Sequence, residues 1–506
     1  MNYHSTRNSS VSVSSAQAIS QGISSEGGLF VPEKLPCFSY SDLLEFQHCG
    51  YTERAVRILS AFLSDFTAEE ITECVGKAYT GEKFEQDRPA PISCLQNGKM
   101  NMYLLELWHG PTCAFKDMAL QLLPHLLTKS LKKIQSSRTA LILVATSGDT
   151  GKAALEGFKD VDGTRIQVFY PENGVSPMQK RQMNTQEGNN VAVCAIEGNF
   201  DDAQTGVKKI FTDPEINRLL EQNNIMFSSA NSINWGRLLP QIVYYFSAYC
   251  DLMANGEIDR EGEKVNIVVP TGNFGNILAA YYAKKMGLPV KKLICASNAN
   301  NVLTDFLNTG VYDRNRDFHT TISPSMDILV SSNLERLLYD LTGNDSARVA
   351  GWMKELASDG RYQVDSDILN RLHELFCAGF CDDAATKETI REIYRTENYL
   401  CDTHTAVAVN VYQQYVEAEK DTETPTIVVS TASPYKFADS VLSAVSADYS
   451  DASEFEKVQA LSAVTGTPIP VPIVQLESKK VRFTAICPKD KMGEAVLKTA
   501  GIKYTV

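Results

Sequence analysis

The apolar positions of this chain change their spacing along its length. In the first 95 residues they follow helical patterns over Tyr40–Phe46, Arg54–Leu63 and Ala68–Tyr79. Further on they come as short uninterrupted runs. Thr139–Ala145, Ile166–Tyr170, Val191–Ile196, Ile225–Ser228, Val265–Val269, Lys292–Ala296 and Thr426–Ser430 read as buried strands. Before and between them lie helix-like stretches: Met118–Leu127, Lys152–Phe158, Asp201–Phe211, the long amphipathic Trp235–Met253, and Asn276–Met286. Such alternation predicts an α/β protein with mostly parallel sheets. With 506 residues, three units are expected. These are a mixed, helix-containing N-terminal domain over 1–95, a smaller α/β domain over 96–215, and a larger one over 216–506. The stretch Asp87-Arg88-Pro89-Ala90-Pro91 closes the first.

Composition narrows the classes. The net charge of −13 argues against an extended nucleic-acid surface. No apolar run approaches the roughly 18 residues of a membrane span. Residues 1–21 are Ser-rich, lack the apolar core of a secretory signal and hold one arginine, so the protein reads as cytoplasmic. Twelve scattered cysteines without a C-x-x-C pair read as reduced thiols. His373, Cys377 and Cys381 stand four apart, a spacing read as a buried helix stripe rather than a metal site. No metal is expected.

Ligands of parallel sheets bind beyond the carboxyl ends of the strands, and three strand-to-helix turns there are unusual. Thr146-Ser147-Gly148-Asp149-Thr150-Gly151-Lys152 offers hydroxyls and backbone N–H groups at a helix start, suited to a small anion or to plain capping. It lacks nucleotide P-loop spacing. Thr271-Gly272-Asn273-Phe274-Gly275-Asn276 places two glycines three apart before a helix, where N–H groups can converge on a phosphate. Ser430-Thr431-Ala432-Ser433-Pro434-Tyr435-Lys436-Phe437 puts hydroxyls at a strand end. A fourth segment, His109-Gly110-Pro111-Thr112-Cys113-Ala114-Phe115-Lys116-Asp117, sets one lysine in a packed turn, where desolvation favours a neutral, nucleophilic amine. Lysine, phosphate cradle and late hydroxyl together fit a pyridoxal-phosphate enzyme.

These segments resemble the threonine synthase family. The resemblance rests on residues 109–117, on Asn231-Ser232-Ile233-Asn234-Trp235-Gly236-Arg237 continuing to Gln241–Phe246, and on the two glycine turns. It extends to Met326–Asn333, Ser5-Thr6-Arg7 and Gly27–Pro32. It implies the fold-type II (tryptophan synthase β-like) architecture in its longer form, pyridoxal 5'-phosphate as cofactor, and conversion of O-phospho-L-homoserine and water to L-threonine and phosphate. It further implies that Lys116 carries the cofactor, that Gly272, Asn273, Phe274, Gly275 and Asn276 cradle its phosphate, that Thr431 faces the pyridine nitrogen, and that Asp149 lies near the 3'-oxygen. Candidates for the substrate are Ser147, Thr150, Lys152, Arg181, Asn231 and Arg237. Lys152 and Ser433 depart from many relatives, which carry Ala and His there. A dehydratase or phospholyase on the same fold is the main rival. Ala114-Phe115-Lys116-Asp117 and Gly272-Asn273-Phe274-Gly275-Asn276 argue against the dehydratase pattern. A monomer or homodimer is expected.

Overall fold

The computed structural model describes residues 1–85, 88–95, 101–146, 148–173, 175–446 and 451–502. Its strands, in chain order, are β1 (Tyr3–Ser5), β2 (Asn8–Val13), β3 (Phe30–Pro32), β4 (Ile92–Cys94), β5 (Met102–Glu106), β6 (Thr139–Ala145), β7 (Thr164–Pro171) and β8 (Val191–Glu197). They continue with β9 (Ile225–Ser228), β10 (Val265–Pro270), β11 (Val290–Ser297), β12 (Val311–Asp313), β13 (Arg361–Gln363), β14 (Phe376–Phe380), β15 (Thr426–Ser430) and β16 (Ile486–Pro488). Two larger sheets result. One has the order β14-β11-β10-β15-β5-β4, parallel except for β4 on its edge; the other is β16-β8-β7-β6-β9, parallel throughout. The apolar runs predicted as strands are these central strands, buried on both faces because helices cover each sheet.

The sheets do not sort by position in the chain. β5 precedes β6, yet it pairs with β15, and β16 returns from near residue 487 to pair with β8. A linear division at residue 215 therefore does not separate the two sheets.

The helix Trp235–Ala254 runs through the middle of the molecule and is buried over almost its whole length. Trp235 packs against Tyr3 (5.4 Å between ring centres), Phe62 (5.7 Å) and Tyr282 (6.1 Å), joining the N-terminal segment to the larger sheet's helices. Buried Arg54, from the helix Tyr51–Phe62, donates to Ser247 Oγ at 2.7 Å and Asp251 Oδ1 at 2.6 Å on that helix.

Three expectations change. The helix expected over Met118–Leu127 is two pieces, Asp117–Leu120 and Leu123–Lys133, because Pro124 has no N–H for the Leu120 carbonyl and its ring crowds that turn. The stripe of His373, Cys377 and Cys381 does not share a helix: the helix Ser366–Leu375 ends before β14 begins at Phe376. The polar N-terminus forms an antiparallel sheet in the order β2-β1-β3. Among the described residues no helix is long and apolar enough to cross a membrane.

Candidate active site

The lysine turn is laid against the end of β15. Phe115 N–H donates to Thr431 O at 2.8 Å, Ser433 N–H donates to Cys113 O at 3.1 Å, and Ala114 bridges to Ala432. Inside the turn, Asp117 accepts from Thr112 N–H and Oγ1, both at 2.8 Å. Burial pushes the Asp117 carboxyl up to about 6, against the pull of those bonds. Gly110 is required here: a Cβ would stand 2.7 Å from Asp117 Oδ2. His109 bridges Glu85 (2.9 Å) and Glu106 (2.7 Å) and stacks on Trp108. Burial works against its charge, but the two carboxylates prevail and raise its pKa to about 9.

Lys116 opens the short helix Asp117–Leu120, and its side chain is 12% exposed. Its Nζ donates to Ser325 Oγ at 3.2 Å and lies 3.7 Å from Asp149 Oδ2. Burial lowers the amine to about 8; Asp149 opposes this, and the charges of Lys436 and Arg237 add to it. Asp149 begins the helix Asp149–Phe158 that follows β6. The turn before it is knotted by Thr146 Oγ1, which accepts from Gly148 and Gly151 N–H groups at 3.0 Å each. Asp149 accepts from Lys436 Nζ (2.7 Å), Gln179 Nε2 (3.1 Å) and Ser325 Oγ (3.2 Å). Burial would raise its pKa, but Lys436 and Lys116 hold the carboxyl far below the usual carboxylate range.

The glycine loop joins β10 to the helix Gly275–Lys285. Phe274 takes the N-cap position with φ 61°, and no side chain caps this helix. The loop carbonyls are engaged: Gly272 O accepts from Ser331 Oγ at 2.8 Å, and Asn273 O from Asn333 N–H and Nδ2 at 3.2 and 3.1 Å. The Asn276 Oδ1 accepts from the Tyr244 and Tyr245 hydroxyls, while its Nδ2 is buried without a partner. Ser325 closes the gap between loop and lysine. A Cβ on Gly272 would stand 2.8 Å from Ser325 O. The Ser325 N–H donates to His404 Nε2 at 3.1 Å, and His404 Nδ1 in turn donates to Asp402 at 2.8 Å. Thr431, just past β15, is 5% exposed.

Sequence reasoning missed Ser325, Lys436 and His404. Ser325 directly precedes the quoted Met326–Asn333 stretch, and Lys436 lies within the quoted third turn. Neither carried a signal until the fold set it beside Lys116 or Asp149.

The substrate candidates divide. Arg237 is 3% exposed; its Nη1 donates to Ala230 O at 2.6 Å and its Nε is buried without a partner. Burial alone lowers this guanidinium to about 10. Lys152 is instead held by Glu156 (2.9 Å) and Gln186, and Arg181 by the carbonyls of Leu476, Glu477 and Lys479 at 3.3, 2.7 and 2.8 Å. These partners give a phosphate-binding role for Lys152 or Arg181 no support: each side chain ties one element to another. Thr150 is half-buried in the first helical turn, and Asn231 is exposed, with its side chain accepting from Ser232 Oγ at 3.2 Å. Ser147 lies outside the described residues.

Ser325 links a buried amine with a lowered pKa to a glycine loop whose helix start no side chain caps and which carries an amide donor without a partner. These groups fit an aldehyde that carries a phosphate. At the carboxyl ends of a parallel sheet, they define a pyridoxal-phosphate-dependent enzyme of fold type II. Residues 88–366 match the pyridoxal-phosphate-dependent enzyme family. Residues 2–79 match the threonine synthase N terminus and 405–493 the threonine synthase C-terminal family. Threonine synthase from Pseudomonas aeruginosa is 40% identical over 87% of this chain and 90% of its own length. The crystal structure of PLP-bound threonine synthase from Brucella melitensis superposes with a TM-score of 0.86 at 36% identity, covering 99% of each chain. Human threonine synthase-like 1 is 43% identical over 85% of this chain, which spans 58% of that relative's length. The chain belongs to the threonine synthase family.

Proposed function

We propose that the protein converts O-phospho-L-homoserine and water to L-threonine and phosphate, with Lys116 as the cofactor-carrying residue and general base. The observation that carries the reading is the Lys116 amine, lowered to about 8 and held 3.2 Å from Ser325 beneath the glycine loop. An amine of that basicity can take a proton and return it near neutral pH.

Pyridoxal phosphate, when bound, supplies the electron sink for charge developing beside the amino-bearing carbon. Backbone N–H groups at the start of the helix Gly275–Lys285, with Asn276 Nδ2, hold the cofactor phosphate. Thr431 would offer a neutral hydroxyl to the ring nitrogen, which would moderate the sink, and Asp149, beside Lys116, would serve the 3'-oxygen. Arg237, a buried cation whose Nε has no partner, takes the substrate phosphate, with Thr150 and Asn231 nearer the rim. Lys116 would take the α-proton and give it up before taking a β-proton; phosphate would leave Cγ with the C–O electron pair, Lys116 would return the β-proton to Cγ, water would give its hydroxyl to Cβ, and a proton would return to Cα. One residue serves these steps because it alternates between acid and base.

All twelve cysteines are free thiols, which supports a reducing, cytoplasmic setting.

The test is an absorbance spectrum joined to product analysis with O-phospho-L-homoserine. A visible cofactor band with equal threonine and phosphate is the expected outcome. Phosphate accompanied by 2-oxobutyrate would replace the synthase reading with a phospholyase.

A further inference from the structure

Lys436 has no part in the roles assigned above, yet it is the most completely buried ammonium in the site. It lies in the 3-10 turn Pro434–Phe437, just past Thr431, and its side chain is 0% exposed. Its Nζ lies 2.7 Å from Asp149 Oδ1 and donates to Thr112 O at 2.9 Å. Burying an ammonium is costly unless it is paired, so a position that served packing alone would hold an apolar side chain. Here the chain sets a second lysine against the carboxylate that faces Lys116.

Asp149 therefore stands between two amines, 2.7 Å from Lys436 and 3.7 Å from Lys116. Without Lys436, Lys116 would be the one cation within ion-pair reach of Asp149 among the described residues. An ion pair holds an amine protonated, and a protonated amine has no lone pair to attack an aldehyde carbon. Lys436 acts on this in two ways. It offsets the Asp149 charge at shorter range, and it places a positive charge near Lys116 that disfavours another. The charged groups that face Lys116 are Asp149, Lys436 and Arg237, with the Ser325 hydroxyl as its hydrogen-bond partner.

We propose that Lys436 is a positioning residue whose charge takes up Asp149, so that Lys116 meets the incoming aldehyde as the uncharged amine. The inference rests on Lys116 being the cofactor-carrying residue.

The test reads that amine directly. The cofactor-free full chain is trace-labelled with acetic anhydride from about pH 6 to 11, and acetylation of Lys116 is followed by peptide mass spectrometry. In the unaltered chain the labelling midpoint falls near 8. Lys436→Met moves it up by about one pH unit or more, and Lys436→Arg leaves it within about half a unit. A folded Lys436→Met chain whose midpoint stays or falls overturns the proposal. Where Lys436→Met does not fold, Lys436→Gln, which keeps a donor for Thr112 O without the charge, takes its place. The midpoint must again rise, and no rise overturns the proposal equally. If the variant shows the shift but the unaltered chain makes no threonine, the functional reading is overturned and this one stands.

Discussion

Arg237 shows how much one side chain's partners decide. A guanidinium buried with one carbonyl contact, no ion pair among the described residues and an unpartnered Nε has donors left over, which is why we propose it as the anion site. Replacing it by Met removes charge-assisted bonds to the substrate phosphate, so KM for O-phospho-L-homoserine should rise about 10- to 100-fold. Steady-state kinetics on the variant would show instead an unchanged KM if the phosphate sits elsewhere. His109 makes a prediction of another kind. Its folded pKa, about 9, lies above the ordinary 6.5 because Glu106 and Glu85 stabilise the imidazolium despite burial. The clasp contributes fully below about 6.5 and is lost as pH rises through about 9, a term of at most about 3 kcal/mol. Denaturation at pH 6 and pH 10 should show a fall in stability that His109→Gln lacks; equal slopes in both proteins would remove the clasp from the account. Lys116 and the glycine loop were singled out in the sequence by residue type and spacing, and Arg237 only as one of six substrate candidates once the family resemblance was drawn. Ser325, Lys436 and His404 were not, because their chemistry arises from neighbours distant in the chain: Lys116 for Ser325, Asp149 for Lys436 and Ser325 for His404.

Among the elements, strands were more legible than the breaks between helices. Buried parallel strands are short uninterrupted apolar runs, so β6 and β15 appear in the sequence with their observed ends. The N-terminal sheet was missed because β2, Asn8–Val13, alternates weakly polar and apolar residues without a buried face. The loop after β10 carries a sharper constraint than its G-x-x-G pattern conveys. Gly272 is needed because the Ser325 carbonyl fills the space where a side chain would begin, 2.8 Å away. Gly272→Ala must push the loop or the Ser323–Met326 turn apart, at a cost of about 1–3 kcal/mol. Because we propose that this segment holds the cofactor phosphate, affinity for pyridoxal phosphate should fall about 10-fold or more. Fluorescence titration of the cofactor-free variant checks this, and wild-type affinity would mean that the phosphate is held without the loop.

At the scale of the whole molecule, the return of the C-terminal segment is what joins residues 451–502 to the body that carries the TSGDTG turn. β16 pairs with β8, and the helix Met492–Ala500 buries Met492, Val496, Leu497 and Ala500 against Val207, Ile210, Ile216 and Leu220. Arg165 Nη1 donates to Thr499 O at 2.9 Å, and Thr499 Oγ1 donates to Gln167 Oε1 at 2.6 Å, fixing the helix on β7. No local pattern announces this, because an apolar helix face does not say which sheet it will cover. Its energetic weight can still be anticipated. Met492, Val496 and Leu497 together remove apolar surface worth roughly 5 kcal/mol or more from water. A chain ending at Lys480 therefore loses β16 and exposes the β8 edge and one face of the remaining β8-β7-β6-β9 sheet, with its covering helices, Phe200–Thr212 and Pro214–Gln222. Hydrogen exchange should speed up in those two helices and in β7 and β8, while β10, β11 and β15, in the other sheet, keep their protection. Because Asp149 is carried by the affected sheet and Lys116 by the end of the other, such a truncation should cost activity before it costs the larger sheet. Uniform loss of protection across both sheets would show instead that the two unfold as one cooperative unit.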